Sequence, residues 1–193
     1  RVLVVERHAQ AGQETTARNS EVIHAGLYYP EGTLKAQLCV EGRHDLYARC
    51  AAHHIPHRRI GKYILATRAD EVRTLEDIER RANANGAGLE GWVEASDLAR
   101  IEPRVRAVAA LCSPQTRIID AHALVSSYQA QLESLGGHVA FRTEVLGLEL
   151  AADGTWQVDT RDSHGDRFSI EVRSIVNAAG LGADRVAALA GLD

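Results

Sequence analysis

The stretch Val2-Leu3-Val4-Val5-Glu6 decides the fold class, since four consecutive apolar residues are followed directly by an acid. A short uninterrupted apolar run is typical of a parallel strand that is buried on both faces. Ligands of open parallel sheets bind beyond the carboxyl ends of the strands, where an acid can accept both hydroxyls of an adenosine ribose. The stretch therefore predicts an α/β domain with Glu6 at a nucleotide site, although acids after strands also commonly solvate a turn.

The polar loop from Thr15 to Pro30 follows this strand closely. It places hydroxyls, an arginine, an amide, an imidazole and two phenols among small residues. That mixture does not suit a hydrophobic core and is unusual for a plain surface loop. We interpret the loop as the lining of a ligand site within reach of whatever Glu6 binds.

The overall composition indicates a folded globular protein and argues against two classes of partner. The chain has 193 residues, 45% of them hydrophobic and 25% charged, which is enough for one large domain or two small ones. Its net charge is -4 and its basic residues are scattered, so no nucleic acid partner is expected. No apolar run approaches the roughly 20 residues that a membrane-spanning helix needs.

The three cysteines, Cys39, Cys50 and Cys112, are odd in number and share no close spacing. We therefore expect buried thiols in a reducing compartment rather than a disulfide framework. The run from Cys50 to His57 raises a metal hypothesis, because a thiolate and imidazoles one helical turn apart can share an ion. Pro56 breaks that geometry, so the favoured interpretation is a helix end with solvated imidazoles and no metal.

The start of the chain is unusual for a complete reading frame. The chain has no methionine and opens at Arg1 on the edge of a strand. An inner parallel strand needs neighbours, and no strand and crossover helix precede Val2. We therefore expect the chain to be a fragment of a longer protein.

Hydrophobic periodicity and turn signals predict alternating helices and strands, with a change of pattern after Asp120. Before that point the predicted elements are a helix from the N-cap Thr33 to about His53, a strand over 61–67, a helix from Asp70 to about 82, a strand over 92–94, a short helix capped by Ser96 and a strand over 107–112. After it they are an amphipathic helix closed by Gly136-Gly137, a strand over 138–141, an antiparallel β-meander over 144–150, 155–160 and 167–172, a buried strand from Ile175 into a glycine turn, and a helix from Ala183.

The predicted fold class is α/β, and α+β overall: part of a Rossmann-like nucleotide-binding domain with an antiparallel β-meander and an inserted mixed-sheet domain. Residues 1–54 and 121–193 are expected to form two parts of the nucleotide-binding domain, and residues 55–120 the insertion. Such insertions often form one wall of a substrate cleft. Gly180-Leu181-Gly182 adds an imperfect glycine signature, because Arg185 stands where a small residue is expected; a simple tight turn is the alternative.

Several short motifs occur in an order that resembles a known family. They are Glu6-Arg7, the loop Thr15 to Pro30, Leu34-Lys35-Ala36, Cys39-Val40-Glu41-Gly42, Gly61-Lys62, Glu102-Pro103, Ser113-Pro114 and Asn177-Ala178-Ala179-Gly180. Together they closely resemble FAD-dependent oxidoreductases of the D-amino-acid oxidase and glycerol-3-phosphate dehydrogenase superfamily. The part of the loop from Arg18 to Tyr29 is specifically similar to the L-2-hydroxyglutarate dehydrogenase/oxidase group.

The resemblance implies FAD as the cofactor and gives residues of this chain a place beside it. Glu6 would hold the ribose, Arg7 would lie near the adenosine half, and the backbone of Val145 would meet the adenine. Relatives more often carry serines where Thr16 and Ala17 stand, which leaves one hydroxyl contact open. The remaining cofactor contacts that the resemblance implies are Thr15, Thr16, Arg18, Asn19, Ser20, Ala178, Ala179 and Gly180.

The same resemblance implies FAD-dependent oxidation of an L-2-hydroxy acid, first of all L-2-hydroxyglutarate, to the 2-oxo acid. His24 is the candidate base for the hydroxyl proton, while Tyr28, Tyr29 and Lys62 are candidate partners of the substrate. A histidine outside the chain could be the base instead, and Lys62 could be an ordinary solvated strand residue. The alternatives are an FAD-dependent amine or amino-acid oxidase of the same fold and a non-redox nucleotide-binding module.

The resemblance leaves two electron acceptors open, oxygen and a quinone. We expect a cytoplasmic location, and a quinone acceptor would add a peripheral association with the inner membrane.

Overall fold

The computed structural model describes residues 1–192 of the chain. Its strands are β1 (Leu3–Val5), β2 (Val22–Ile23), β3 (His57–Arg59), β4 (Lys62–Ala66), β5 (Gly91–Glu94), β6 (Ala109–Ser113), β7 (Arg117–Ile119), β8 (His138–Ala140), β9 (Glu144–Leu150), β10 (Trp156–Arg161) and β11 (Arg167–Val172). Its α-helices are α1 (Leu34–Ala52), α2 (Val72–Ala84), α3 (Ala95–Ile101), α4 (Ala121–Ser134) and α5 (Ala183–Leu189). Short 3₁₀ helices cover Thr15–Arg18, Ala69–Glu71 and Gly180–Gly182.

The chain forms two compact units. The first, here called the terminal unit, joins residues 1–19 to the residues from Ala121 onward, and the second, the central unit, is Ser20–Asp120. The sequence prediction placed the corresponding boundary at residue 55. The central unit begins earlier because β7 pairs on one side with β2 and on the other with β3, which ties residues 22–23 to residues 117–119.

In the terminal unit, β1 pairs in parallel with β8, with Leu3 opposite His138 and Val5 opposite Ala140. The predicted strand is present, but the prediction that it is buried on both faces is wrong. Val2 is 60% exposed and Leu3 and Val4 are each 42% exposed. Within residues 1–192 this sheet has only two strands, so neighbouring strands cover little of the β1 side chains.

The predicted antiparallel meander is also in the terminal unit. β10 pairs with β9 on one side and with β11 on the other, and a register shift lies between Asp159 and Thr160. The amphipathic helix after Asp120 is α4, and the turn after it is closed by the amide of Gly137, which donates to the carbonyl of Leu132 over 2.9 Å.

The predicted strand from Ile175 is wrong. Residues 174–179 have no regular secondary structure, and Val176 is 88% exposed. An apolar run becomes a strand only where another strand offers it a hydrogen-bonding edge. Among the described residues no strand pairs with this run, which explains the difference.

The central unit contains two three-stranded sheets, one in the order β2-β7-β3 and the other in the order β4-β6-β5. Every pair in them is antiparallel, so the mixed sheet predicted for this region is instead antiparallel. Ala66, Leu75 and Leu111 form a core cluster that joins α2 to the second sheet. Helix α3 starts at Ala95 with Glu94 as N-cap residue, so the predicted cap at Ser96 is wrong by two positions.

Helix α1 begins where the sequence predicts, because the Thr33 hydroxyl accepts a hydrogen bond from the amide of Ala36 over 3.3 Å. Its buried residues are Ala36, Arg43 and Cys50. These three lie seven residues apart, which is two helical turns, and therefore share one face. Leu34 and Leu38 lie on other faces of the helix, since Leu34 is 67% exposed and Leu38 is 54% exposed.

Candidate functional site

The end of β1 presents Glu6 as the sequence predicts. The amide of Glu6 donates to the carbonyl of Ala140 over 2.9 Å, and its carbonyl accepts from the amide of Thr143 over 2.9 Å, so pairing continues past the strand. One Glu6 carboxylate oxygen accepts the amide of His8 over 2.8 Å. The carboxylate is thus fixed at the carboxyl end of a parallel pair, where a ribose hydroxyl can be accepted.

Arg7 lies beside Glu6 in an ionic cluster with His8 and Glu14. The Glu14 carboxylate accepts hydrogen bonds from Arg7 and from the His8 ring, the latter over 2.8 Å. These bonds, first the one from His8 and then the one from Arg7, lower the pKa of Glu14. Glu14 raises the pKa of Arg7, first by hydrogen bonding and then by charge. The cluster borders a cleft of about 440 Å³ lined by Arg7, His8, Arg142, Glu144, Arg161, Asp162 and Ser163.

The predicted flavin-side residues form a short 3₁₀ helix with a side-chain cap. Thr15, Thr16 and Arg18 belong to the helix, and the Asn19 amide donates to the carbonyl of Thr16 over 2.6 Å and to that of Thr15 over 3.3 Å. Arg18 and Ser20 are exposed, and Ser20 opens the central unit. The polar residues of this segment are thus available to a ligand, apart from the amide that holds the turn.

The segment Ala178-Ala179-Gly180 lies next to this helix. Gly180 has φ +57°, and a Cβ placed on it would lie 4.0 Å from the hydroxyl of Thr15. The structure therefore brings two predicted cofactor positions together in the terminal unit. Ala178 and Ala179 are exposed, whereas Val145 is half-buried on β9.

These positions pass a chemical test for a dinucleotide. Glu6 supplies a fixed carboxylate for ribose hydroxyls, and the Gly180 backbone carries no side chain next to the hydroxyl of Thr15. The Glu6 carboxylate is thus suited to ribose hydroxyls, and the bare backbone of Gly180 leaves room for a dinucleotide beside Thr15.

In the central unit, the loop at residues 24–29 has a buried middle, Ala25 to Leu27, between two exposed residues, His24 and Tyr28. His24 and Tyr28 are exposed, while Ala25 and Leu27 are only 3% and 1% exposed. Gly26 has φ +95°, and a Cβ on it would lie 2.8 Å from Cγ2 of Val40, so only glycine fits. The buried residues Ala25 and Leu27 pack with Ala82 and Ala87.

Side chains hold the backbone of this loop. Arg43 donates to the carbonyl of Ala25 over 3.3 Å, and Asn85 donates to the carbonyls of Gly26 and Tyr29 over 3.3 and 2.9 Å. Sequence reasoning missed both side chains. The seven-residue spacing of Ala36, Arg43 and Cys50 could have indicated Arg43, but no local pattern indicates that Asn85 bonds a carbonyl 56 positions away.

Two predicted substrate residues contact each other. The ammonium of Lys62 lies 4.6 Å from the centre of the Tyr28 ring, and Lys35 makes the same contact with Tyr29. Such contacts hold a cation beside an aromatic face without neutralising it. His24 is not part of this pair, and its carbonyl is 3.6 Å from the Cys39 thiol.

Lys62 also borders a second cleft, of about 280 Å³, lined by Arg59, Ile60, Gly61, Lys62, Tyr63, Cys112 and Pro114. Arg59 is oriented there by donating from Nε to the carbonyl of Pro114 over 2.7 Å. Burial, and then the nearby Glu90 carboxylate, raise the pKa of Cys112. That thiol is therefore protonated near neutral pH, and the charged groups that line the cleft are the cations of Arg59 and Lys62.

The structure describes the three cysteines and the two histidines that follow α1. All three cysteines are free, with Cys50 buried and the other two half-buried. His53 and His54 are exposed beyond the end of α1. Over residues 1–192, no three His, Cys, Asp or Glu side chains gather as they would around a metal ion.

A parallel strand pair that ends in an acid, together with an antiparallel meander, is typical of dinucleotide-binding proteins of the Rossmann-like class. The chain belongs to the FAD dependent oxidoreductase family, whose sequence profile matches residues 1–193. The predicted family, fold class and cofactor, FAD, are thereby confirmed.

The chain is also similar to curated L-2-hydroxyglutarate dehydrogenases over nearly its whole length. The mitochondrial L-2-hydroxyglutarate dehydrogenase of Arabidopsis thaliana is 33% identical over 218 residues, covering 100% of this chain and 45% of the relative. The L-2-hydroxyglutarate dehydrogenase of Indibacter alkaliphilus is 33% identical, covering 97% of the chain and 45% of the relative. The chain thus spans less than half the length of these relatives.

Solved structures agree on the fold. L-alpha-glycerophosphate oxidase from Mycoplasma pneumoniae, with FAD bound, matches with a TM-score of 0.89 and 29% identity, over 100% of this chain and 51% of that one. Glycine oxidase from Geobacillus kaustophilus matches with a TM-score of 0.84 and 20% identity, over 100% and 52%. No helix among residues 1–192 is long and apolar enough to cross a membrane.

Proposed function

We propose that the protein containing this chain uses FAD to oxidise an L-2-hydroxy acid to the 2-oxo acid. L-2-Hydroxyglutarate is the leading candidate substrate. The observation that carries this proposal is the 30–33% identity to several L-2-hydroxyglutarate dehydrogenases over nearly the whole chain. Because the chain covers under half of each relative, the proposal concerns the activity of the whole protein.

The terminal unit would hold the cofactor. Glu6 would accept the ribose hydroxyls, with Arg7 near the adenosine half and the backbone of Val145 at the adenine. When bound, FAD supplies the acceptor for the hydride that leaves the α-carbon of the substrate. The other proposed contacts of the cofactor are Thr15, Thr16, Arg18, Asn19, Ser20, Ala178, Ala179 and Gly180.

The central unit would bind and orient the substrate. His24 would take the hydroxyl proton, since an imidazole can accept a proton at neutral pH. Lys62 and the phenols of Tyr28 and Tyr29 would bind the substrate carboxylates. Arg59, which borders the same cleft as Lys62, offers a second cation for a dicarboxylate.

The test is anaerobic mixing of the full-length, FAD-loaded protein with single candidate substrates while the visible flavin absorbance is followed. L-2-Hydroxyglutarate should bleach the flavin, and D-2-hydroxyglutarate should not. Bleaching by an amino acid alone would contradict the proposal. Protein that carries no flavin would point to a nucleotide-binding module without redox activity.

A second candidate is oxidation of L-α-glycerophosphate. It is favoured by the 29% identity and the TM-score of 0.89 to the glycerophosphate oxidase. The same anaerobic mixing assay separates the two candidates. The flavin should be bleached by the protein's own substrate and not by the other compound. Reoxidation of the bleached protein by oxygen or by a quinone then identifies the acceptor. A quinone would support a peripheral membrane location, and oxygen a cytoplasmic one.

A further inference from the structure

The loop at residues 24–29 has buried carbonyls but no strand or helix to satisfy them. It lies between β2 and α1, and Ala25, Gly26 and Leu27 are buried. A buried carbonyl that lacks a partner is destabilising, so each must find a donor. Here the donors are side chains, Arg43 for Ala25 and Asn85 for Gly26 and Tyr29.

Arg43 is an energetically unfavourable residue to bury as a hydrogen-bond donor. It is only 5% exposed, and its guanidinium bonds the carbonyl of Ala87 over 2.7 Å as well as that of Ala25. None of the ion pairs among residues 1–192 involves Arg43, its Nη2 lies 3.3 Å from Nε2 of His44, and its Nε is buried without a partner. Burying a cation without a counter-charge is costly, and an apolar side chain would fill this space at lower cost. Packing alone therefore does not explain the guanidinium.

The Arg43 guanidinium holds the backbone of the loop at residues 24–29. Arg43 joins the carbonyl after His24 to the segment that follows α2, and Asn85 ties the carbonyls on both sides of Tyr28 to the end of the same helix. Rigidly held groups keep catalytic geometry, and a displacement of about 1 Å can lower a rate about a hundredfold.

We infer that Arg43 and Asn85 are positioning residues that fix the directions in which His24 and Tyr28 leave the backbone. The inference rests on the proposed function, since it assumes that these two side chains face the substrate. Their role is exerted through the loop backbone, because their hydrogen bonds go to its carbonyls.

The test compares Arg43→Met and Asn85→Leu with matched controls in the full-length FAD-loaded protein. Arg73→Met and Asn83→Leu change exposed residues of α2 and should leave turnover as in wild type. Arg43→Met and Asn85→Leu should lower kcat about tenfold to a hundredfold while FAD content and the flavin spectrum stay unchanged. Arg43→Lys keeps the charge and one donor, so it should recover part of the loss.

A double-mutant cycle separates positioning from a general structural effect. If Arg43 acts through His24, Arg43→Met should lower kcat much less in a His24→Ala background than in wild type. An equal factor in both backgrounds would overturn the inference, as would wild-type kcat in folded Arg43→Met and Asn85→Leu. If Arg43→Met does not fold, Asn85→Leu in wild type and in a Tyr28→Ala background decides, because Asn85 bonds the carbonyls on both sides of Tyr28.

One further readout does not depend on the substrate. Amide hydrogen exchange over residues 24–29 should be faster in Arg43→Met and Asn85→Leu than in the two controls. Unchanged exchange contradicts the inference even if no hydroxy acid bleaches the flavin. If no substrate bleaches the flavin but exchange is faster in the two variants, the proposed function is contradicted. The role of Arg43 and Asn85 in holding the loop is then still supported.

Discussion

Two irregular segments of the molecule carry proposed site residues, and they are built in opposite ways. Residues 24–29 of the central unit have three buried residues, and side chains from two helical regions bond their carbonyls. Residues 175–180 of the terminal unit are largely exposed, with Val176 at 88%. Their side-chain bonds are local, from Asn177 to the carbonyl of Ala183 over 2.7 Å and from the amide of Ala179 to Asn177 over 3.2 Å.

The difference separates two kinds of ligand contact. A segment whose backbone is bonded from behind presents its outward side chains before any ligand arrives, which lowers the cost of binding. A segment held only by exposed local bonds contributes little to stability, and its conformation depends on what contacts it. We therefore expect changes at residues 24–29 to affect folding and catalysis, and changes at residues 175–180 to affect chiefly the cofactor.

The largest effect is expected for Gly26→Ala. The new methyl group would lie 2.8 Å from Val40 and would also occupy a backbone conformation with φ +95°. We expect a loss of roughly 2–4 kcal/mol in the free energy of unfolding, measured by urea denaturation. Gly32→Ala, at φ +73° with open space around it, should cost only about 1 kcal/mol. Equal losses would mean that the contact with Val40 carries no energy.

The next prediction compares two asparagines. Asn85→Leu should cost about 1–3 kcal/mol in the free energy of unfolding, because two carbonyls of a partly buried loop lose their donor. Asn177→Leu should cost about 0.5 kcal/mol or less, since water replaces its exposed bonds. Chemical denaturation of the two variants side by side measures the contrast. A larger loss for Asn177→Leu would reverse the comparison.

Gly180→Ala should show its effect on the cofactor. A Cβ at this position meets nothing closer than the hydroxyl of Thr15 at 4.0 Å, so only the backbone strain at φ +57°, about 1 kcal/mol, should reduce stability. If the dinucleotide passes here, the added methyl group should weaken FAD binding about tenfold, as measured by fluorescence titration of the apoprotein. Unchanged FAD affinity with the expected small loss of stability would remove Gly180 from the cofactor site.

The smallest effect is expected from Glu71, at the start of the helix that leads to Asn85. Its carboxylate accepts hydrogen bonds from the amide and hydroxyl of Thr67 and lies near Arg68, and the amide bond is the main reason its pKa is lowered. A lowered folded-state pKa means stability that is present above the ordinary pKa of the group and lost as pH falls through the folded value.

Glu71→Gln should therefore be less stable than wild type at neutral pH, and the difference should shrink towards about pH 3. Thermal unfolding over this pH range measures it. Glu76→Gln, on the same helix, controls for the change in net charge. A difference that grows in acid would show that Glu71 does not hold the start of this helix.

The sequence predicted those elements whose signal is local. The meander follows from two-residue alternation and turn residues, and α1 starts at Thr33 because its capping bond spans three residues. The strand from Ile175 was wrong because an apolar run does not show whether a partner strand is present. Arg43 was not predicted, because an arginine on the buried face of α1 interrupts the apolar pattern that indicates a packing face.

The candidate site divides in the same way. Glu6 was found because an acid after an apolar run is a short motif, and the structure places it at the end of a parallel pair. Asn85 was not found because the carbonyls it bonds are more than fifty positions away in the sequence. Long-range polar contacts of this kind leave no periodic trace in a single sequence.

The close packing of Gly26 against Val40 limits how this loop can be redesigned. Tyr28 points outward and is not the proposed base, so a library that varies position 28 would sample new side chains on an unaltered backbone. A smaller residue at position 40 would remove the clash at position 26 but not the backbone strain at φ +95°. An engineer seeking a different acceptance of substrates would therefore vary position 28 and keep His24, Gly26 and Val40.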